Sequence, residues 1–154
     1  MKLGSLCYIE KNNQYLMLHR TKKQKDMHEG LYVGLGGKFE VGESPEDCVI
    51  REVFEESGLQ INNPRLRGIL TFPAFSKGED WYVFLFVATD FTGEVQPCKE
   101  GELVWVDKNK LNELPMHEGD RYFLQWIEEH RDVFSAKFLY EDGIFKDYQA
   151  AFYD

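Results

Sequence analysis

The stretch GGKFEVGESPEDCVIREVFEESGL, residues 36–59, joins two adjacent glycines to a strongly acidic segment. Seven of its 24 residues are Glu or Asp, and Glu52, Glu55 and Glu56 crowd into a single turn and a half of chain. Carboxylates held this close repel one another unless a positive charge is bound among them. The stretch therefore predicts a place where something positive is bound.

A helix is predicted to begin at Ser44 inside this stretch. The Ser44 side chain can cap the helix, Pro45 suits the first turn because its missing N–H costs nothing there, and Asp47 has capping-box spacing. Gly58 is then expected to end the helix, since glycine readily adopts the left-handed conformation of a C-terminal cap.

The predicted helix has one apolar and one acidic arc. At 100° per residue the three glutamates share an arc of about 100°. The neighbouring arc, of about 140°, is expected to face the core. It holds Val49, Ile50, Val53 and Phe54. Because like charges at these spacings destabilise a helix, the acidic arc favours a hard cation, and Mg²⁺ prefers carboxylate oxygen. Gly34, Gly36 and Gly37 would let backbone carbonyls approach such a metal or a phosphate.

Composition limits the class of protein. The chain has 154 residues, 43% of them hydrophobic, which predicts one globular domain over residues 1–154. Eighteen basic and 27 acidic side chains give a net charge of -9, so a long nucleic acid polymer would be repelled. Segments apolar enough to cross a membrane are not expected. Cys7, Cys48 and Cys98 form no C-x-x-C pair, and they indicate reduced thiols and a cytoplasmic protein.

The rest of the pattern predicts a mixed α/β layered domain. Two strands flank Asn12 and Asn13 as a hairpin, and a second hairpin turns at Glu141-Asp142-Gly143. Between them we expect three strands by branching and aromatic content, RLRGILTFPAF (65–75), WYVFLFVATDF (81–91) and ELVWVD (102–107). The second of these is expected to be central and buried on both faces. An amphipathic helix is predicted in EGDRYFLQWIEEHRDVF (118–134).

The opening stretch resembles the Nudix box, G-x5-E-x7-R-E-U-x-E-E-x-G-U, in which U is aliphatic. The matching residues are Gly37, Glu43, Arg51, Glu52, Val53, Glu55, Glu56, Gly58 and Leu59. Agreement at every specified position is far more specific than a short glycine motif. The resemblance implies an α/β/α sandwich around a mixed sheet. It also implies an enzyme that cleaves nucleoside diphosphate derivatives with Mg²⁺ or Mn²⁺ and an attacking water.

Metal ligands follow from the same resemblance. Glu52, Glu55 and Glu56 correspond to ligands, with Glu56 or Glu52 helping to polarise the water. The carbonyl of Gly36 or Gly37 corresponds to the backbone ligand.

Supporting residues of the box are implied in the same way. Arg51 would orient the glutamates through a charge-assisted bond, and Glu43 would have a structural or supporting role. Outside the box, Glu100 is similar to a late acidic ligand or base of the family, with Glu102 as its rival.

Substrate contacts are implied by similarity to the MutT-like branch that acts on oxidised purine nucleotides. LHRTKK (18–23), LPMHEGDRYFLQWI (114–127) and AKFLYEDG (136–143) carry that similarity. Arg20, Lys22 and Lys23 lie where the family often supplies phosphate contacts, and Arg20 or Lys23 is assigned that role. Gly37 and Lys38 are assigned to substrate binding as well.

The base pocket of that branch maps onto five further positions. Asp120 would read a purine edge, and Phe72 or Trp81 would stack on the base. Val33 stands where an Asn often recognises the base, and His117 where a Trp often stacks. These two differences predict weaker discrimination for 8-oxoguanine. His19, His28 and His130 have no metal-binding spacing and are expected in surface or packing roles.

The leading hypothesis is conversion of a nucleoside triphosphate, including an oxidised purine form, to the monophosphate and pyrophosphate. One alternative is a Nudix hydrolase of ADP-ribose, a dinucleoside polyphosphate or a pterin triphosphate. Another is a nucleotide-binding regulatory module without turnover, against which the intact set of glutamates argues. The oligomeric state is left open.

Overall fold

A computed structural model of the chain describes residues 1–21 and 28–154. Its strands are β1 (Lys2–Lys11), β2 (Gln14–His19), β3 (Tyr32–Val33), β4 (Leu35–Lys38), β5 (Gln60–Asn62), β6 (Arg65–Ser76), β7 (Glu79–Ala88), β8 (Asp90–Thr92), β9 (Glu102–Asp107), β10 (Phe134–Glu141) and β11 (Ile144–Phe152). The helices are α1 (Pro45–Ser57), α2 (Glu118–Glu129) and a 3₁₀ helix, Lys108–Glu113. Within the described ranges, none of these helices is both long and apolar enough to cross a membrane.

Most strands join one mixed sheet, as the resemblance implied. Its order is β11-β10-β6-β7-β1-β2-β3, with β4 paired to β1 and β9 paired to β2, while β5 and β8 pair separately. The contacts of β1 with β7 and of β10 with β6 are parallel, and the remaining pairs are antiparallel. Strand β1 thus pairs with β7 along one edge, and along its other edge it pairs with β4 and then with β2.

The two α-helices cover opposite faces of the sheet. Side chains alternate across a strand, and in β1 Tyr8 joins the hydrophobic cluster that contains Phe123 of α2. Its neighbours Cys7 and Ile9 join the cluster that contains Val53 of α1. The α/β/α sandwich is therefore confirmed. Cys7, Cys48 and Cys98 are buried, and within the described residues no disulfide joins them.

Both predicted hairpins are present. Asn12 and Asn13 have φ angles of 52° and 60° between β1 and β2, in the left-handed region that Asn tolerates better than most residues. Asp142 and Gly143 turn the chain in the same way between β10 and β11.

Helix α1 has the predicted caps. The Ser44 hydroxyl accepts from the Asp47 N–H at 3.0 Å, and the Asp47 carboxylate accepts from the Ser44 N–H at 3.1 Å. Gly58 ends the helix with φ 78°. These two short-range signals fix where the acidic arc begins and ends.

The predicted orientation of α1 is wrong at Phe54, which is 54% exposed. The buried residues of the helix are instead Cys48, Val49, Val53 and Ser57. The apolar residues alone do not define the buried face, because Ser57 lies on it and donates to the Val53 carbonyl at 2.6 Å. Including this polar residue and Glu56 rotates the buried arc away from Phe54.

Strand β7 is central, and its burial is uneven. Residues 85–88 are buried and alternate between the two hydrophobic clusters, as expected of a strand covered on both faces. Residues 81–84 are only partly buried, since Trp81 and Val83 border a cavity. The prediction of burial on both faces therefore holds for the second half of the strand.

Alanine substitutions separate the two orientations of α1. Val53→Ala should lower the free energy of unfolding by about 1–3 kcal/mol, because it removes buried methyl groups and leaves a void. Phe54→Ala should change it by about 0.5 kcal/mol or less, as for an exposed position. Urea unfolding followed by circular dichroism measures both values. A Phe54→Ala cost equal to or above that of Val53→Ala would contradict the observed orientation.

Candidate active site

The glycines of β4 let this strand and the loop that follows it, residues 39–44, lie against helix α1. Strand β4 pairs with β1, with Gly37 opposite Ser5. A Cβ atom on Gly37 would lie 2.4 Å from Cδ of Glu52, well inside van der Waals contact. Glycine at this position therefore permits the close approach of the loop carbonyls to the box glutamates.

Arg51 donates hydrogen bonds to several carboxylates at the acidic arc of α1. Its Nε and Nη2 donate to the two oxygens of Glu43 at 2.7 and 2.9 Å. Its Nη1 donates to Glu52 at 2.7 Å and to Glu55 at 3.3 Å. Nη2 also donates to the Lys38 carbonyl at 3.0 Å, which ties the loop to the helix. The hydrogen bonds from Arg51 lower the pKa of Glu43 to about 2. One guanidinium thus makes hydrogen bonds to three carboxylates.

Glu56 lies apart from the Arg51 hydrogen bonds and contacts β4 instead. Its Oε1 accepts from the Gly36 N–H at 2.8 Å, and the side chain borders the cavity. Burial is the largest of the effects that together raise the pKa of Glu56 to about 8; the negative charges of Glu100 and Glu52 also raise it, and the Gly36 N–H and Arg20 lower it. The charged form of Glu56 is therefore disfavoured in this site unless a cation binds beside it.

Glu100 is brought to the same place from the segment before β9. Arg20 Nη1 donates to its Oε2 at 3.0 Å, and Arg20 borders the cavity. Glu102 is exposed, and its backbone pairs with His19 at the start of β9. Of the two late acidic candidates, Glu100 is the one beside Arg20 and Glu56.

The donor set fits a hard divalent cation. In the ranges 1–21 and 28–154, no three His, Cys, Asp or Glu side chains already converge as metal ligands. Glu52 and Glu55 are held by Arg51, and Glu56 is held by Gly36. The available atoms are all carboxylate or carbonyl oxygens, which is the chemistry that Mg²⁺ and Mn²⁺ select.

A cavity of about 230 Å³ adjoins these carboxylates. Its lining residues are Ser5, Leu6, Arg20, His28, Val33, Gly34, Gly36, Glu56, Phe72, Phe75, Ser76, Trp81, Val83, His117, Asp120 and Tyr140. Aromatic walls with a few polar groups are typical of a site for a planar ligand.

The predicted base-contacting residues come together in this cavity. Val33, Phe72, Trp81, His117 and Asp120 all line it. The Phe72 ring stacks on Phe138 with centroids 5.6 Å apart, so its position is fixed by the core.

Among the other predicted contacts, Lys38 does not line the cavity. It extends over the Trp81 ring, 5.6 Å from its centroid. Lys23 lies outside the described residues.

Several lining residues were not predicted from sequence. His28 was expected to have a surface or packing role, yet its Nδ1 is 2.7 Å from His117 Nε2 at the cavity wall. Phe75 and Tyr140 were not singled out as site residues, although Tyr140 lies in the segment AKFLYEDG (136–143). Tyr140 reaches the site because β10 pairs in parallel with β6, a contact between residues far apart in sequence. Only the long-range pairing of strands could have revealed it.

Asp120 is the buried carboxyl group of the cavity. It is 7% exposed and lies in the first turn of α2. Burial raises its pKa from the usual 3.8 to about 7, against a smaller lowering by Arg121. Both protonation states are therefore accessible near neutral pH, and they differ in hydrogen bonding, since only the protonated form donates.

The raised pKa predicts a pH-dependent stability difference. Folded Asp120 keeps a proton that the unfolded chain releases, so its contribution to stability falls as pH rises from about 4 to about 7. Asp120→Asn cannot titrate at this position, so the variant lacks this fall in stability with rising pH. The free energy of unfolding of the variant, relative to that of the wild type, should rise through this window and level off above it. Urea titrations between pH 4 and 8 measure the difference, and a difference independent of pH would contradict the shift.

Comparison with known proteins gives consistent matches. The profile of the NUDIX domain matches residues 2–127. The uncharacterized Nudix hydrolase YvcI of Bacillus subtilis is 36% identical over 139 residues, covering 87% of this chain and 84% of the relative. The oxidized purine nucleoside triphosphate hydrolase of Danio rerio is 32% identical over 123 residues, with 79% of each protein covered. The crystal structure of the mutator MutT protein from Bacillus halodurans superimposes with a TM-score of 0.86 at 31% identity, covering 97% of both chains.

Proposed function

The chain belongs to the Nudix hydrolase family, and on that premise we propose that it hydrolyses a purine nucleoside triphosphate to the monophosphate and pyrophosphate. As a member of this family, the protein is a pyrophosphohydrolase of nucleotide derivatives. One observation carries the narrower proposal. A single cavity is bordered by Glu56 and Arg20 of the charged site and by Asp120 among aromatic side chains. A ligand with phosphates and a planar base matches both parts.

Nudix hydrolases generally use divalent metal ions such as Mg²⁺. In this chain Mg²⁺ or Mn²⁺ would be held by Glu52, Glu55 and Glu56, by Glu100, and by the carbonyl of Gly36 or Gly37. When bound, the ion neutralises the pyrophosphate and makes a bound water more acidic. The oxygen-only donor set supports this assignment. The raised pKa of Glu56 supports it as well, because a bound cation would stabilise the charged form of this carboxyl group.

The protein's own groups then have distinct tasks. Arg51 keeps Glu52 and Glu55 oriented. Glu56 is anchored through Oε1 to the Gly36 N–H, which leaves Oε2 to take a proton from the attacking water, a role for which Glu52 is the alternative. Arg20 is assigned to the phosphates, together with Lys23.

The base is assigned to the aromatic part of the cavity. Phe72 or Trp81 would stack on it, and Asp120 would bind its edge. The apolar Val33 and the His117 imidazole contribute shape more than base-specific contacts, so an oxidised purine is accepted with modest discrimination. The name of the Danio rerio relative supports oxidised purines as part of the substrate class. Buried thiols without a disulfide support a cytoplasmic location, where nucleotide pools lie.

A substrate panel tests the proposal. With Mg²⁺ present, kcat/KM should be highest for 8-oxo-dGTP, dGTP or dATP, lower for dCTP, and lower still for ADP-ribose, because the cavity suits a purine. The products, identified by phosphorus NMR, should be monophosphate and pyrophosphate, and excess EDTA should stop turnover. Preferred cleavage of ADP-ribose would refute the triphosphate assignment.

A matched pair of variants tests the catalytic carboxylate. Glu56→Gln keeps the shape of the side chain and removes its charge, so kcat should fall by about two orders of magnitude or more with little change in melting temperature. Glu46→Gln, an exposed position on the same helix, should retain wild-type kcat. Full activity of Glu56→Gln would place the essential carboxylate elsewhere.

A further inference from the structure

The first turn of α2 is completed by a residue from another element. The first N–H groups of a helix have no partner within it, and the N-cap residue His117 makes no side-chain capping bond. Instead the Gly119 N–H donates to the Tyr140 hydroxyl of β10 at 2.8 Å. Strand β10 thereby fixes the turn that carries Asp120.

The fit between Gly119 and Tyr140 leaves no space for another side chain. A Cβ atom at position 119 would lie 2.8 Å from the Tyr140 hydroxyl oxygen and 3.1 Å from the Phe138 ring. The Tyr140 ring packs edge-on against Phe75 with centroids 5.2 Å apart. Its hydroxyl is therefore held in one place at the cavity wall, which Tyr140 and Asp120 both line.

The hydroxyl of Tyr140 has a proton to give. A phenol donates one hydrogen bond and accepts others, and the Gly119 N–H uses an accepting position. Within the described residues no hydrogen bond uses the proton. Burial raises the pKa of Tyr140 above its usual range, with the nearby Asp120 adding to the shift, so the group stays protonated near neutral pH. A half-buried donor in this position favours a ligand that brings an acceptor.

We propose that the Tyr140 hydroxyl donates a hydrogen bond to the base and acts beside Asp120 as a second specificity-determining group. The inference deepens the proposed function and rests on the cavity being the base pocket. An ionised Asp120 accepts from an N–H group, and Tyr140 donates to a carbonyl oxygen or ring nitrogen. Purine edges present such acceptors, N7 and O6 in guanine, together with N–H donors. The pair thus selects a base that offers both.

Binding of product-type nucleotides without metal tests this role separately from hydrolysis. GMP, 7-deaza-GMP and 6-thio-GMP are titrated by calorimetry, since the analogues remove or weaken the N7 and O6 acceptors one at a time. Wild-type protein should bind one analogue about tenfold more weakly than GMP. Tyr140→Phe should bind GMP about tenfold more weakly than the wild type and should no longer discriminate against that analogue.

The effect of Tyr140→Phe on the relative affinities for the three nucleotides distinguishes recognition of the base from a purely structural capping of α2. A cap alone would lower the melting temperature of Tyr140→Phe and leave the relative affinities for the three nucleotides unchanged, and that result would overturn the proposal. Tyr122→Phe is the matched control, because it removes the same hydroxyl from a tyrosine of α2, the helix that carries Asp120. Tyr122 packs against Tyr148 and Phe145 and does not line the cavity. This control variant should bind all three nucleotides like the wild type. Wild-type protein that binds none of them would overturn the base pocket itself, and the proposed function with it.

Discussion

Mutual repulsion among the carboxylates of α1 is the constraint on which the rest of the site depends. Two like charges about 4 Å apart near a protein surface repel by about 4 kcal/mol, so such a cluster survives only with internal compensation. Arg51 supplies it for Glu43, Glu52 and Glu55 through hydrogen bonds of 2.7 to 3.3 Å. Glu56 is compensated only in part, by a backbone N–H and by Arg20. A bound cation would stabilise the charged form of Glu56, which burial disfavours.

Helix α1 serves the core and the site with adjoining faces. Val49 and Val53 bury one arc, and Glu56 borders the cavity close to it. Phe54 lies outside these two faces and remains exposed, although it is the largest apolar side chain of the helix. Glycine at position 37 completes the arrangement, since a Cβ atom there would displace the Glu52 carboxylate.

Features encoded over a few residues were predictable from the sequence. The capping box at Ser44, the stop at Gly58 and the turn at Asn12 and Asn13 depend on local conformational preferences, and the structure has all of them. The sandwich followed from the resemblance carried by the box. The orientation of α1 was not predictable from apolar periodicity, because the buried arc includes the polar Ser57. Tyr140 and His28 were missed because strand pairing and loop packing, which no local pattern records, bring them to the cavity.

Metal binding tests the central claim most directly, because it concerns the carboxylates without reference to any substrate. Titration of Mn²⁺ into the nucleotide-free protein, followed by electron paramagnetic resonance, should reveal at least one site in the wild type. Binding at that site should weaken by about tenfold or more in Glu56→Gln, which loses a charged ligand, and should remain unchanged in Glu46→Gln. Equal Mn²⁺ affinity in the wild type and in Glu56→Gln would contradict a cation site built around Glu56.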